Sequence, residues 1–185
     1  TLSTAADEVV NSAFEVTVQF DEAVTGFEVG DIIVSNATLD GFSGSGASYT
    51  VTVTPVADGT VTLDVSAGVA QDEAGNDTTA ATQLSRVYDG TAPVPVLTTD
   101  VTTDVTNGDI GLTIDFGETV TGFVSADVLV TNGVVTGFTG VGEGVFELTV
   151  VASGDGDVIL EVPASVAEDQ AANGNEASEV LTVFF

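Results

Sequence analysis

The chain has 185 residues, 43% of them hydrophobic, and a single basic residue, Arg86, set against 29 acids for a formal net charge of -28. Such a surface repels phosphate and anionic lipid, which argues against nucleic-acid partners and membrane insertion. His, Cys and Lys are absent, which excludes Ser–His–Asp and Cys–His catalysis, disulfides, thiolate metal sites and Lys–Asn isopeptide cross-links.

Alternation of apolar and polar side chains sets the predicted elements. The first strand is expected over Leu2–Val10. The second covers Ala13–Phe20 and puts Phe14, Val16, Val18 and Phe20 on one face. Shorter strands follow at Asp31–Asn36 and Thr38–Phe42, then alternating ones at Ser48–Pro55 and Thr60–Ser66. Asp58-Gly59, between the last two, reads as a hairpin turn. Gly68–Ala74 has room for one helical turn at most, and a seventh strand covers Ala81–Tyr88. Residues 89–95 then form a linker. Pro93 and Pro95 favour extended backbone and make it stiffer than a Gly/Ser joint.

Beyond the linker the pattern returns. Residues 116–138 (FGETVTGFVSADVLVTNGVVTGF) restate 20–42 (FDEAVTGFEVGDIIVSNATLDGF) at an offset of 96. After one added residue, Tyr49 falls on Phe146, Asp72 on Asp169 and Asn76 on Asn173. A period this long repeats a whole domain. Seven short strands per copy, with turn signals at this spacing, imply an all-β fold of two tandem immunoglobulin-like Greek-key β-sandwiches, 1–90 and 91–185. The acidity belongs to the repeat. Nine Asp, five Glu and Arg86 lie before Thr91, and eight Asp and seven Glu follow. Self-repulsion of this size destabilises a compact state unless salt or bound cations screen it, which suggests a saline or calcium-bearing exterior. Both ends of the chain read as cut at repeat boundaries, as in an excerpt of a longer protein.

Catalysis has little to work with. Some pair among 29 acids will lie at a glycosidase-like distance by chance, but Trp is absent and most Phe residues fall on core-facing positions, so no enzyme activity is expected. The recurrent Phe20, Phe27, Phe42 and Phe116, Phe123, Phe138 are read as core. Arg86 is expected to pair with an acid on the face of its strand. Val180–Phe185 reads as a final strand, with docking onto a neighbouring subunit by strand addition as the other option.

Cation binding is the sharper expectation, since calcium takes six to eight oxygens from carboxylates, amides and carbonyls. In a sandwich the loops after strands two, four and six gather at one pole. Those loops carry Glu118, Asp169 and Asn173 in the second copy, where they would meet Asp58 and Asp89 of the first. Glu22, Asp72 and Asn76 are the equivalents that would face a preceding repeat. Turn formation alone also accounts for residues of these types.

FDEAVTGF (20–27), DIIVSN (31–36), GFSGSG (41–46), YTVTVTP (49–55), ADGTVT (57–62), DEAGN (72–76) and DGTAP (89–93) together resemble bacterial Ig-like repeats. The resemblance covers essentially the whole chain, twice. In the second copy Gly117 stands at the position of Asp21, and DQAANGN (169–175) reads as an expansion of the DEAGN loop. The resemblance implies an Ig-like sandwich on the outside of a prokaryotic cell, as part of a long repetitive adhesin. Its expected role is that of a non-enzymatic spacer, with neighbouring repeats as partners, calcium at the junctions, and any host or surface ligand held by other domains. The alternative is a subunit of a non-covalent extracellular filament or surface layer built from identical chains.

Overall fold

Val, Ile, Thr and aromatic residues at every second position suit a pleated backbone with one buried face. The computed structural model describes residues 1–101 and 107–185. Its regular elements there are strands and two short 3-10 turns, in two compact units, Thr1–Gly90 and Thr91–Phe185.

The first unit contains β1 (Leu2–Ser3), β2 (Val9–Val10), β3 (Phe14–Val24), β4 (Ile32–Ser35), β5 (Ala37–Pro55), β6 (Gly59–Val65) and β7 (Leu84–Tyr88). One sheet has the order β1-β3-β5 and the other β2-β7-β6-β4. Val16, Val18, Val51, Val53, Val61 and Leu63 are buried in the core at 1% exposure or less. Burying such a side chain stabilises the fold by about 1.5–3 kcal/mol each.

Three expectations change here. The predicted first strand is two strands in different sheets, with β1 antiparallel to β3 and β2 parallel to β7. Thr4 bends the chain between them: its hydroxyl donates to the Glu15 carbonyl at 2.6 Å and accepts the Ala6 N–H at 3.2 Å. Thr38–Phe42 and Ser48–Pro55 are parts of one element, β5, which folds back on itself. The Ser43 and Thr50 hydroxyls meet at 3.0 Å across this fold. Glycine is required at its tip, because Gly44 has φ +123° and a Cβ there would collide with Ser48 and Tyr49 backbone atoms. Finally, Asp58-Gly59 is no hairpin. β5 pairs with β3 while β6 pairs with β4 and β7, so these residues carry the chain from one sheet to the other.

The second unit contains β8 (Val96–Thr99), β9 (Ile110–Asp115), β10 (Leu129–Thr131), β11 (Gly133–Gly142), β12 (Val145–Ala152), β13 (Asp157–Glu161) and β14 (Leu181–Phe184). Its sheets run β8-β9-β12-β11 and β10-β13-β14. The rest of its predicted first strand, 102–106, lies outside the described residues. Ile110, Ile114, Val150, Val158, Leu160 and Val162 are fully buried in a core of its own. The run Val180–Phe185 supplies an ordinary final strand, antiparallel to β13.

Four aromatic rings cluster at matching positions in each unit. Phe27 lies 5.1 Å from both Phe20 and Tyr49, edge to face, while Phe42 stacks on Tyr49 at 5.7 Å. Phe123 lies 5.0 Å from Phe116 and 4.9 Å from Phe146, and Phe138 stacks on Phe146 at 5.4 Å. The repeated Phe residues are therefore core.

Sequence periodicity also passes over the two 3-10 turns, Val29–Asp31 and Ser125–Asp127. Each is closed by its own aspartate. Asp31 accepts the Glu28 N–H and Asp127 the Val124 N–H, both at 2.8 Å.

Candidate functional site

The loops carrying the candidate ligands are held by short backbone pairs. In the first unit Thr25 and Gln71 exchange N–H···O bonds of 2.8 and 3.1 Å. In the second, Thr121 and Glu168 do the same at 2.8 and 3.0 Å. As a result Glu22, Asp72 and Asn76 line one cleft of the first unit. In the second unit a Glu118 carboxylate oxygen comes within 4.8 Å of one from Asp169.

Each Asp–Asn pair closes a turn on itself. Asp72 accepts the Asn76 backbone N–H at 2.8 Å and its side-chain amide at 2.7 Å. Asp169 accepts the same two donors from Asn173, both at 2.8 Å. The Asn76 amide, followed by its backbone N–H, holds the Asp72 carboxyl below the usual carboxylate range. Asp169 is buried at 5% exposure, and its loop meets the chain segment entering the unit. There the Asn173 amide donates to the Thr91 carbonyl at 3.4 Å and the Glu176 N–H to the Pro93 carbonyl at 2.9 Å.

The loop in the second copy is not expanded: Asp169 and Asn173 keep the spacing of Asp72 and Asn76 and the same bonds. What changes is the residue at the tip. Gly75, at φ +83°, is replaced by Ala172 at φ +65°. A left-handed conformation costs a residue with a Cβ about 1 kcal/mol. Ala172→Gly is therefore expected to raise the stability of the second unit by about 0.5–1 kcal/mol, read as a shift in its denaturant midpoint. An unchanged or lower midpoint would contradict the strain.

Asp58 and Asp72 sit beyond opposite ends of β6. Asp58 accepts the Gly90 N–H at 2.7 Å, and the Asp89 N–H donates to the Val10 carbonyl at 2.9 Å. Arg86 makes no ion pair among the described residues. It donates instead to the carbonyl of Ala6 at 3.2 Å, in the chain joining β1 to β2, and to that of its own neighbour Ser85 at 2.7 Å.

Sequence reasoning overlooked Asn175. At 1% exposure it accepts the Val166 and Ala167 N–H groups at 2.9 and 2.8 Å, and donates to the Pro163 and Glu176 carbonyls at 2.9 and 2.6 Å. The first copy has Thr78 at this position, whose hydroxyl accepts the Ala70 N–H at 3.3 Å. The repeat therefore gave no signal for an asparagine.

The groups gathered here are oxygen donors without a nucleophile–base pair. Glu118, Asp169 and the Asn173 carbonyl oxygen suit a hard cation in kind, although the Asn173 amide is already committed to Asp169. Among the described residues no helix is long and apolar enough to cross a membrane.

A family model described as bacterial Ig-like domain matches residues 1–88 and again 89–184. No curated protein matches the chain. Among solved structures, InvD of Yersinia pseudotuberculosis aligns over 100% of this chain and 56% of its own, at 14% identity and a TM-score of 0.46. An invasin described as a bacterial integrin-binding protein aligns over 100% of this chain and 39% of its own, at 14% identity and a TM-score of 0.36. Domains 5–6 of the S-layer protein SbsC align over 100% of this chain and 94% of their own, at 18% identity and a TM-score of 0.31. The chain thus spans 56% of InvD and 39% of that invasin.

Proposed function

Since the chain belongs to the bacterial Ig-like domain family in both of its halves, we propose that it is a spacer segment of a repetitive bacterial surface adhesin, holding a binding module that lies elsewhere away from the cell. The observation that carries this reading is the duplication itself. Two whole domains keep the same core, the same aromatic cluster and the same Asp–Asn pole turns, while their exposed residues diverge. That is the pattern of a unit maintained for its fold and its joints. A dedicated ligand surface would instead be maintained in one copy. The absence of His, Cys and Lys supports a non-enzymatic role, and the charge of -28 supports an exterior with enough salt to screen it.

Display of a known binding module on cells through zero, one or two copies of this chain tests the reading. Capture of ligand-coated beads through a polymer brush should improve with each copy, while the chain displayed alone captures nothing. Capture by the chain alone, or no gain with copy number, would sink it.

The proposal includes calcium at the Glu118–Asp169 carboxylates, where a cation would relieve the repulsion between them. At fixed ionic strength, calcium is expected to raise the melting temperature over chelator for the native chain, and less so for Glu118→Gln. Weak affinity, on the order of 10⁻⁴–10⁻³ M, is usual for extracellular modules. Identical melting in calcium and chelator would remove the ion and leave the spacer reading intact.

A further inference from the structure

In the second unit the segment Thr91–Pro95 leads into β8 with Pro93 and Pro95 buried, and the Glu176 N–H holds the Pro93 carbonyl at 2.9 Å. Phe116, just beyond the strand that pairs with β8, is 2% exposed. At the corresponding positions the first unit has an open cleft of about 420 Å³, bordered by Thr1, Phe20, Val24, Val65, Thr79 and Ala81. Strand pairing places Thr1 on Val96, since Thr1 faces Gln19 as Val96 faces Asp115, and the repeat places Phe20 on Phe116 and Thr79 on Glu176. Phe20 is only half-buried. The Thr79 N–H makes no hydrogen bond with any described residue, whereas its counterpart binds a proline carbonyl.

We propose that this cleft is the seat of an extended Pro-X-Pro segment joined in line to Thr1, docking on the first unit as Thr91–Pro95 docks on the second. The cleft suits that chemistry. Proline brings no N–H to satisfy and its φ is already fixed near the extended value, so the segment needs a donor for its carbonyl and an apolar floor for its rings. Thr79 supplies the first, and Phe20, Val24 and Val65 the second. Each unit would then be completed by the polypeptide that enters it, so that a linker is part of the next domain's fold. This holds whether or not the array serves an adhesin.

The test compares the full chain carrying Thr-Ala-Pro-Val-Pro ahead of Thr1 with the full chain carrying a Gly/Ser extension of equal length. Both tyrosines, Tyr49 and Tyr88, lie in the first unit and Trp is absent, so tyrosine fluorescence reports that unit alone. The Pro extension is expected to raise its unfolding midpoint by on the order of 5 °C over the Gly/Ser one, and to slow hydrogen exchange of the Thr79 amide at least tenfold. Replacing both prolines of the extension by alanine should lose most of the gain. Equal midpoints, or a Thr79 amide that exchanges equally fast in both chains, would overturn the proposal.

Discussion

Phe123→Ala is expected to destabilise the second unit by about 3–5 kcal/mol and to leave the unfolding of the first unit where it was. Phe123 is 6% exposed and sits among three other rings, with centroids 4.9 Å from Phe146, 5.0 Å from Phe116 and 5.8 Å from Phe138. Truncation removes its transfer free energy. It also leaves a cavity that the stacked Phe138 and Phe146 cannot close without losing their own contact, and it forfeits edge-to-face terms of about 0.5–1.5 kcal/mol each. A domain of this size has about 5–15 kcal/mol of stability in total, so the loss is a large share. Phe27→Ala should do the same to the first unit, since Phe27 is 6% exposed and lies 5.1 Å from Phe20 and from Tyr49. The two buried clusters share no residue, so each variant should move one of two transitions. Calorimetry of the full chain resolves them, with tyrosine fluorescence assigning the first unit. A single transition that both variants shift alike would contradict independent cores.

The inward-facing residues were legible in the sequence because alternation reports burial directly. Spacing alone puts Phe14, Val16 and Val18 on one face, and the same offset of 96 sets Ile110, Leu112 and Ile114 in their register, all of them buried. Alternation does not say which strand lies next door. It therefore could not distinguish the Asp58-Gly59 crossover from a hairpin, since both need a turn former between two alternating runs. Nor could it show that Thr4 breaks the first strand, because a threonine in a strand is ordinary and only the position of Glu15 gives its hydroxyl a partner. The pole residues were legible as a set. Glu22, Asp72 and Asn76 line one cleft, and Glu118 and Asp169 bring their carboxylates together. The DEAGN residues read as turn formers, but the bonding of each Asp to its own Asn did not follow from residue type, and in the second copy the extra Gly174-Asn175 gave the look of an expanded loop. Asn175 was not legible, because its importance arises from four backbone groups distant in sequence or hidden in loop geometry.

Asn175→Asp is expected to leave the second unit largely unfolded at neutral pH while the first unit melts as before. The substitution preserves shape, which isolates the hydrogen-bond polarity. The native Nδ2 donates to the Pro163 carbonyl at 2.9 Å and the Glu176 carbonyl at 2.6 Å. A carboxylate has no donor, so an ionised Asp would set a charged oxygen against two carbonyl oxygens in a site 1% exposed. A buried charge without a compensating donor costs several kcal/mol, which is comparable to the stability of the unit. The environment favours the neutral acid, so the folded-state pKa of this Asp would lie above its unfolded value. The damage should be greatest at neutral pH and shrink as pH falls below that folded value, where one O–H donor returns. Asn175→Ala leaves the Val166 and Ala167 N–H groups and both carbonyls without their partner, at about 1–3 kcal/mol for each group left unsatisfied. Water entering the gap keeps the total nearer 3–5 kcal/mol, with little dependence on pH. Asn175→Thr should cost less than Ala, because the first unit holds the same turn with the Thr78 hydroxyl. Denaturant unfolding of the three variants at two pH values checks the order. An Asn175→Asp chain as stable as the parent at pH 7, or one whose deficit grows on acidification, would rule out the donor role assigned to this side chain.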